Sequence, residues 1–167
     1  TGTLTEGRPA FEEAVSAGTL DASEVLRLAA SLDQGSEHPL ADAIVSAARE
    51  QSLSLSPVDD FESGSGIGVR GQVDGKVLVL GNTALEVVTL TDTAENFRAQ
   101  GASVMYLAID GQLAGLLAVS DPIKQSTPEA MQTLKEAGIR VIMATGDGVT
   151  TAEAVAQRLG SDEVYGR

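Results

Sequence analysis

The stretch "SVMYLAIDGQLAGLLAV" at residues 103–119 decides the fold of the middle of this chain. Two apolar, strand-like runs flank the dipeptide Asp110-Gly111, and Asp-Gly favours the tight type I′ turn of a β-hairpin. The stretch "GVRGQVDGKVLVLGN" at residues 68–82 repeats this arrangement around Asp74-Gly75. The two hairpins predict an antiparallel sheet in the middle of the chain.

Helix start signals lie on both sides of these hairpins. "DASEVLRLAASL" places Asp21 as a capping residue three positions before Glu24, and "DTAENFRAQG" places Asp92 three positions before Glu95. A capping side chain followed by a glutamate three residues later satisfies the free N–H groups at a helix start. Each stretch therefore predicts one short amphipathic helix, and the second is predicted to end at Gly101.

The only histidine, His38, stands at the start of a third predicted helix, "HPLADAIVSAAREQ". Pro39 suits the first helical position, which makes His38 the predicted cap. The positive end of the helix dipole favours the neutral imidazole, and a neutral flat ring is free to meet an adenine. The alternative interpretation is a histidine that only caps the helix or lies at the surface.

From Asp121 onward the pattern changes to that of a parallel sheet. "TPEAMQTLKEAG" predicts a helix from a Thr127 cap to Gly138, "IRVIMAT" predicts a buried strand, and "TTAEAVAQRLG" predicts a helix ending at Gly160. A further strand-like segment, "DEVYG", follows. Helices alternating with apolar strands are typical of parallel α/β sheets. The predicted fold class is α/β in the broad sense, an α+β arrangement of an antiparallel part and a parallel part joined near Asp121.

Composition excludes several classes of function. The formal net charge of -13 repels nucleic acid and anionic membranes, so neither is a predicted partner. The longest apolar run, "LAGLLAV", is much shorter than the roughly 20 residues of a membrane span. Without cysteine the chain has neither disulfides nor a thiolate metal site. No metal-ligating residues are predicted.

A glycine-rich motif, "GIGVRG", matches the pattern G-x-G-x-x-G through Gly66, Gly68 and Gly71. The dinucleotide-binding fingerprint requires a helix after the motif, whereas a predicted hairpin follows here, so the Rossmann interpretation fails. Gly64, Gly66 and Gly68 either allow backbone to approach a ligand or bend a strand.

The segment "VIMATGDG" carries the strongest local chemical signal. A buried strand ending in Thr145-Gly146-Asp147 places a hydroxyl and backbone N–H groups at the carboxyl edge of a parallel sheet, where α/β folds bind phosphates. The alternative is an ordinary turn in which Asp147 or Thr150 caps the next helix.

Several motifs occur in an order that is similar to a known family. "TGTLTEG", "SEHPLADAI", "GSGIGV", "LGN", "DPIK" and "MATGDGVTTAEAVAQRLG" together resemble the large cytoplasmic segment of P-type ATPases. "SEHPL" resembles their heavy-metal-transporting class, most like the copper pumps. The resemblance implies a nucleotide-binding domain at residues 8–119, inserted into a haloacid-dehalogenase-like phosphorylation domain whose pieces are residues 1–7 and an incomplete 120–167.

The resemblance also implies two sets of site residues. Those carried over to the nucleotide site, with His38 against the adenine and Lys124 in the hinge region that begins at Asp121, are Asp33, Glu37, His38, Gly64, Gly66, Gly68, Asn82 and Lys124. Those carried over to the transferred phosphoryl group, with Asp147 helping to position the nucleotide across the cleft, are Thr1, Thr3, Thr145, Gly146 and Asp147. Asp33 stands where the family usually has glutamate, and Gly148 where many relatives have asparagine.

The implied function is to bind ATP and present it to an aspartate that would lie just before Thr1 and is phosphorylated in each transport cycle. ATP and Mg²⁺ are the implied cofactors, with the magnesium site incomplete because its carboxylate motif would follow Arg167. The implied partners are the transmembrane and actuator domains of the same protein and a metal ion, with copper(I) as the prediction. The segment is expected to be a soluble cytoplasmic part of an integral membrane protein, monomeric, and able to bind ATP without turnover.

Two other functions are weighed against this one. A soluble phosphatase of the haloacid dehalogenase type needs an aspartate as general acid two places after its nucleophile, where this sequence has Thr1. A threonine cannot protonate a leaving group at neutral pH, so hydrolysis is disfavoured as the main activity. The other alternative is a non-enzymatic nucleotide-binding module.

Overall fold

The computed structural model describes residues 2–64, 68–82, 90–146 and 148–166 of the chain. Strands alternate with helices along the sequence. The strands are β1 Ala10–Ser16, β2 Asp59–Gly64, β3 Gly68–Val73, β4 Lys76–Gly81, β5 Ser103–Ile109, β6 Gln112–Ser120, β7 Ile142–Ala144 and β8 Glu163–Tyr165. The helices are α1 Ala22–Asp33, α2 Pro39–Glu50, α3 Thr91–Ala99, α4 Thr127–Glu136 and α5 Val149–Leu159.

Six strands form one antiparallel sheet in the order β1-β6-β5-β4-β3-β2. Both predicted hairpins are confirmed, since β3 pairs with β4 and β5 pairs with β6 on either side of the Asp-Gly turns. All four turn residues, at 74–75 and 110–111, have positive φ, as a type I′ turn requires. We call this sheet together with α1, α2 and α3 the sheet unit.

Helices pack on both faces of the sheet. Helices α1 and α2 cover one face, and their apolar residues pack on strand residues that include Leu78, Leu107 and Leu117. Helix α3 covers part of the other face, where Ala94 packs with Tyr106. Side chains of β5 alternate between the two clusters, because successive residues of a strand point to opposite faces. The middle strands, which include the stretch at residues 103–119, therefore carry apolar side chains on both faces.

The second, smaller sheet pairs β7 with β8 in parallel. Met143 of β7 packs against Ala152 and Ala156 of α5, and Leu4 from the start of the chain lies against the same cluster. This parallel arrangement after Asp121 confirms the predicted change of pattern. The prediction that its strand is buried is wrong, because Ile142 of β7 is half exposed and only Met143 is buried. We call β7, β8, α4 and α5, with residues 4 and 5, the parallel unit.

Two predicted helix caps are confirmed. Asp21 accepts a hydrogen bond from the backbone N–H of Glu24 at 2.7 Å at the start of α1. His38 caps α2, where its Nδ1 accepts from the N–H of Leu40 at 3.2 Å. Pro39 occupies the first helical position, as predicted.

Other predicted caps are wrong. Asp92 lies inside the first turn of α3, which begins at Thr91 after Leu90 in a left-handed conformation, without a side-chain cap. Thr127 does not cap α4. Its hydroxyl, which was expected to cap this helix, instead donates to the distant carbonyl of Leu4 at 2.8 Å. Thr150 does not cap α5, which follows Gly148, because its hydroxyl donates to α3 instead.

No helix within the described ranges is long and apolar enough to cross a membrane.

Candidate functional site

The connection between α1 and α2 presents three of the predicted nucleotide-site residues. Glu37 and His38 are exposed, and Asp33 is buried at the end of α1. Because Nδ1 of His38 accepts a hydrogen bond, the neutral ring carries its hydrogen on Nε2. One face of a neutral imidazole is thus held at a helix start and open to a ligand.

Asp33 is an unusual group in this connection. Its side chain is only 4% exposed, and burial raises its pKa from an ordinary 3.8 to about 7. Within the part of the chain that the structure describes, no cation or hydrogen-bond donor contacts its carboxylate. No side-chain oxygen of the described residues is both fully buried and without a partner, so water reaches the Asp33 carboxyl in part. A mostly buried carboxyl with a raised pKa is still a candidate for a functional site.

Close packing holds this connection against strands β2 and β3. A Cβ atom on Gly35 would lie 2.7 Å from the ring of Phe61 in β2, and one on Gly71 of β3 would lie 3.0 Å from Leu32 in α1. Only glycine permits such an approach without displacement of these neighbours. The α1–α2 connection therefore lies directly beside the strands that lead to the glycine-rich turn.

The glycine-rich turn joins β2 to β3. Gly64 ends β2 and pairs with Gly68 at the start of β3, while Gly66 lies outside the described residues. Gly68 has φ +96, and a Cβ atom there would lie 2.1 Å from the carbonyl oxygen of Leu80 and 2.7 Å from Cα of Gly81. Asn82 follows Gly81 directly, so the structure brings the turn and Asn82 to the same edge of the sheet.

Three of the predicted phosphoryl residues, Thr3, Thr145 and Gly146, lie in or beside the parallel unit. Thr145 and Gly146 follow the end of β7, and the backbone N–H of Thr145 donates to the carbonyl of Tyr165 at 2.9 Å. Thr3 is exposed beside Leu4, which packs on Met143 of β7. Thr1 and Asp147 lie outside the described residues.

Lys124 holds the start of the chain in this region. Its Nζ donates to the carbonyl of Gly2 at 2.7 Å, and its backbone N–H donates to the carbonyl of Leu4 at 3.1 Å. These two bonds place the ammonium group one residue from Thr3, on the side of the parallel unit. Lys124 therefore lies with the phosphoryl residues, and no described contact joins it to His38 or Asp33.

Asp121 joins the two chain segments that pass between the units. Its carboxylate accepts hydrogen bonds from the Thr5 hydroxyl at 2.6 Å, from the N–H of Gly7 at 3.0 Å and from the N–H of Arg8 at 3.1 Å. Thr5 also forms an isolated antiparallel bridge with Ile123. Sequence reasoning located a hinge at Asp121, but nothing local in the sequence signals that its carboxylate would bind residues more than 110 positions away.

We expect Asp121→Ala to lower the free energy of unfolding by about 2 kcal/mol, because three hydrogen bonds to a half-buried carboxylate are lost and water replaces them in part. Chemical denaturation monitored by circular dichroism measures this. Asp162→Ala is the matched control, since Asp162 accepts one bond, from the N–H of Val141. Equal losses in the two variants would contradict a special role for Asp121 in joining the segments.

The described residues do not support a magnesium site. Mg²⁺ prefers carboxylate and other oxygen ligands, and among the residues that the structure describes no group of three or more His, Cys, Asp or Glu side chains is placed to hold a metal ion. A groove of about 520 Å³ lies between residues 7–11 and α2. None of the predicted site residues lines it.

The geometry defines a class of α/β protein. A six-stranded antiparallel unit is inserted between a first segment that carries threonines and a parallel sheet, and one strand of the parallel sheet ends at Thr-Gly. The chain belongs to the haloacid dehalogenase-like hydrolase family, whose model matches residues 1–167.

Within that family, the chain is similar to metal-exporting P-type ATPases. It is 44% identical to a silver exporting P-type ATPase of Salmonella typhimurium and 48% identical to a copper-exporting P-type ATPase of Legionella pneumophila, in each case over 98% of this chain. The catalytic domain of the CPx-ATPase CopB-B superposes with a TM-score of 0.75 at 28% identity, over 99% of this chain and 57% of that one. These findings confirm the predicted resemblance and the predicted fold class. The chain spans 21% and 23% of the two relatives, about a fifth of their length.

Proposed function

We propose that this chain is the ATP-binding part of a heavy-metal-transporting P-type ATPase. One observation carries the proposal: the connection after α1 packs through Gly35 on Phe61 of β2, and Gly64 at the end of β2 pairs with Gly68. Gly68 in turn lies against Leu80 and Gly81, directly before Asn82. A flat neutral ring, close backbone and an amide are what a site for a purine nucleotide needs. The similarity to silver- and copper-exporting relatives supports the assignment.

In this proposal the sheet unit holds the base and ribose, and the parallel unit receives the phosphates. His38 stacks on adenine, and Gly64, Gly66 and Gly68 give the backbone close access to the nucleotide. Thr3, Thr145 and Gly146 supply hydroxyl and N–H donors to the phosphoryl group, with Lys124 nearby as a cation. Asp147 and Thr1 complete the proposed set, as the family resemblance implies.

For the whole protein we propose ATP-driven transport of copper(I), with this chain as the cytoplasmic part of a membrane protein that also contains transmembrane and actuator domains. The transferred phosphoryl group would pass to an aspartate outside this sequence, and magnesium would be held by carboxylates that are also outside it. The chain alone is then expected to bind ATP as a monomer without hydrolysing it. The proposed domain boundaries, near residues 8 and 119, are those inferred from sequence.

We expect isothermal titration to show ATP binding that AMP partly retains and GTP does not reproduce. His38→Asn should weaken ATP binding at least about fivefold, or roughly 1 kcal/mol, because asparagine keeps a capping side chain but lacks the ring. His38→Ala, which also removes the cap, and Gly66→Val should weaken it at least as much.

Gly18→Val is the matched control for the glycine variant, because a Cβ atom on Gly18 meets no atom within 4 Å. It should bind ATP as the original chain does. If His38→Asn binds ATP with unchanged affinity, or if the original chain binds no nucleotide, the proposed site is wrong. Phosphate release from ATP by the isolated chain would contradict binding without turnover.

A further inference from the structure

The two covalent connections between the units lie side by side. The chain crosses between them at residues 5–10 and again at 120–123, and the carboxylate of Asp121 ties these two crossings together. A single joint of this kind permits rotation of one unit against the other, because it fixes a point and not an orientation. Any fixed angle between the units requires a second contact away from Asp121.

Helices α3 and α5 make such a second contact. The hydroxyl of Thr151 in α5 donates to the carbonyl of Ala102, just after α3, at 2.9 Å, and both residues are buried. The hydroxyl of Thr150 donates to Oε2 of Glu95 in α3 at 3.1 Å. A Cβ atom on Gly101 would lie 3.4 Å from Val155, so the backbone of the sheet unit closely approaches α5 here.

Residues of the sheet unit orient Glu95 for this contact. Arg98 donates to Oε1 of Glu95 at 2.6 Å, while its guanidinium lies 5.7 Å from the centre of the Tyr106 ring. The hydrogen bonds from Arg98 and, less strongly, from Thr150 lower the pKa of the Glu95 carboxyl. A charged carboxylate with one oxygen on Arg98 and the other free for Thr150 is oriented before the units meet.

The contact has the composition of a reversible interface. The apolar cluster under α3 and the apolar cluster around α5 are separate, and Val155 belongs to the second. Hydroxyl groups, a carboxylate and a backbone carbonyl dominate the contact, and each of them can be satisfied by water when the units separate. Interfaces between domains of one chain that are small and polar permit relative motion.

We infer that Thr150 and Thr151, with Glu95 and Ala102, form a reversible latch that fixes the angle between the sheet unit and the parallel unit. Helix α5 starts directly after Gly148, so closing the latch also fixes the start of this helix relative to the sheet unit. Thr150 and Thr151 are positioning residues in this view. The latch goes beyond the proposed function, since it acts on the orientation of the two units whether or not a nucleotide binds.

The test measures the distance between the units in the nucleotide-free chain. Because the sequence has no cysteine, Glu50→Cys in α2 and Glu136→Cys in α4 place two spin labels at exposed positions for pulsed electron resonance. With the latch intact we expect one narrow distance distribution. Combining Glu95→Gln, Thr150→Val and Thr151→Val should broaden it at least twofold and add longer distances.

Thr133→Val is the matched control, because the hydroxyl of Thr133 donates only within α4, to the carbonyl of Glu129. It should leave the distribution narrow. Should the triple variant fail to fold by circular dichroism, Thr150→Val alone serves, with a smaller broadening expected. The latch is refuted if the original chain is already as broad as the variant, or if the variant that folds is as narrow as the original chain. Neither result depends on nucleotide binding, so the proposed function is tested separately.

Discussion

Asp33→Asn is expected to stabilise the chain by about 3 kcal/mol at pH 8 and to leave its stability almost unchanged at pH 4. Burial raises the pKa of Asp33 to about 7 in the folded chain, against an ordinary value of 3.8 when unfolded. This interval corresponds to about 4 kcal/mol at roughly 1.4 kcal/mol for each pKa unit. Asparagine returns about 1 kcal/mol of the gain, because its amide is also largely removed from water.

The sign follows from which state holds the proton. Below pH 4 the carboxyl is protonated in both states, and its contribution to stability is fully present. Between about pH 4 and pH 7 the unfolded chain releases the proton while the folded chain keeps it, so stability falls as pH rises. Above pH 7 both states are ionised and the loss is complete.

Urea denaturation between pH 4 and pH 8 measures this effect. Asp59→Asn is the matched control, because Asp59 is exposed at the start of β2, and its stability is expected to stay within about 0.5 kcal/mol of the original chain. The pH profile of Asp33→Asn should diverge upward from that of the original chain above pH 4. Parallel profiles for the two chains would show that burial does not raise the pKa of Asp33 in the folded chain.

A group that costs stability at neutral pH calls for a function that offsets the cost. In the proposed site Asp33 lies in the same connection as His38, where the amino group of an adenine would donate to its carboxylate. Such a partner stabilises the ionised form. In the proposed site this contact would offset part of the cost of burying Asp33.

Most of the structural predictions that were confirmed rest on local chemistry. Two Asp-Gly turns gave the hairpins, and Pro39 identified His38 as a cap. The same local pattern, an aspartate three residues before a glutamate, gave a correct cap at Asp21 and a wrong one at Asp92. At the second position the glutamate is engaged elsewhere, because Glu95 binds Arg98 within α3 and Thr150 across the units.

The features of the site that sequence could not predict are all long-range. The burial of Asp33 depends on how α1 packs on the sheet, and helical spacing alone does not reveal it. The three hydrogen bonds of Asp121 join residues that are far apart in sequence. Gly68 was predicted as a residue that approaches a ligand, and only the structure shows its contact with the neighbouring strand.

Gly68→Ala is expected to destabilise the chain by about 4 kcal/mol. The residue has φ +96, where an L side chain costs roughly 1–2 kcal/mol. Its Cβ atom would also lie 2.1 Å from the carbonyl oxygen of Leu80, and this backbone cannot move without disturbing the β3–β4 ladder, at a cost of up to about 3 kcal/mol. For a chain of this length the melting temperature should fall by about 10 °C.

Gly18→Ala is the control, since Gly18 has open space around a Cβ atom and should lose no more than about 1 kcal/mol. The two effects separate the structural role of Gly68 from a role in binding. If Gly68→Ala melts about 10 °C lower but its folded fraction binds ATP as tightly as the original chain, Gly68 serves the sheet, and the proposed backbone approach to the nucleotide belongs to Gly64 and Gly66. If it melts within 2 °C of the original chain and binds ATP several-fold more weakly, the close approach to Leu80 is relieved at little cost, and Gly68 is a ligand-contacting residue as the sequence predicted.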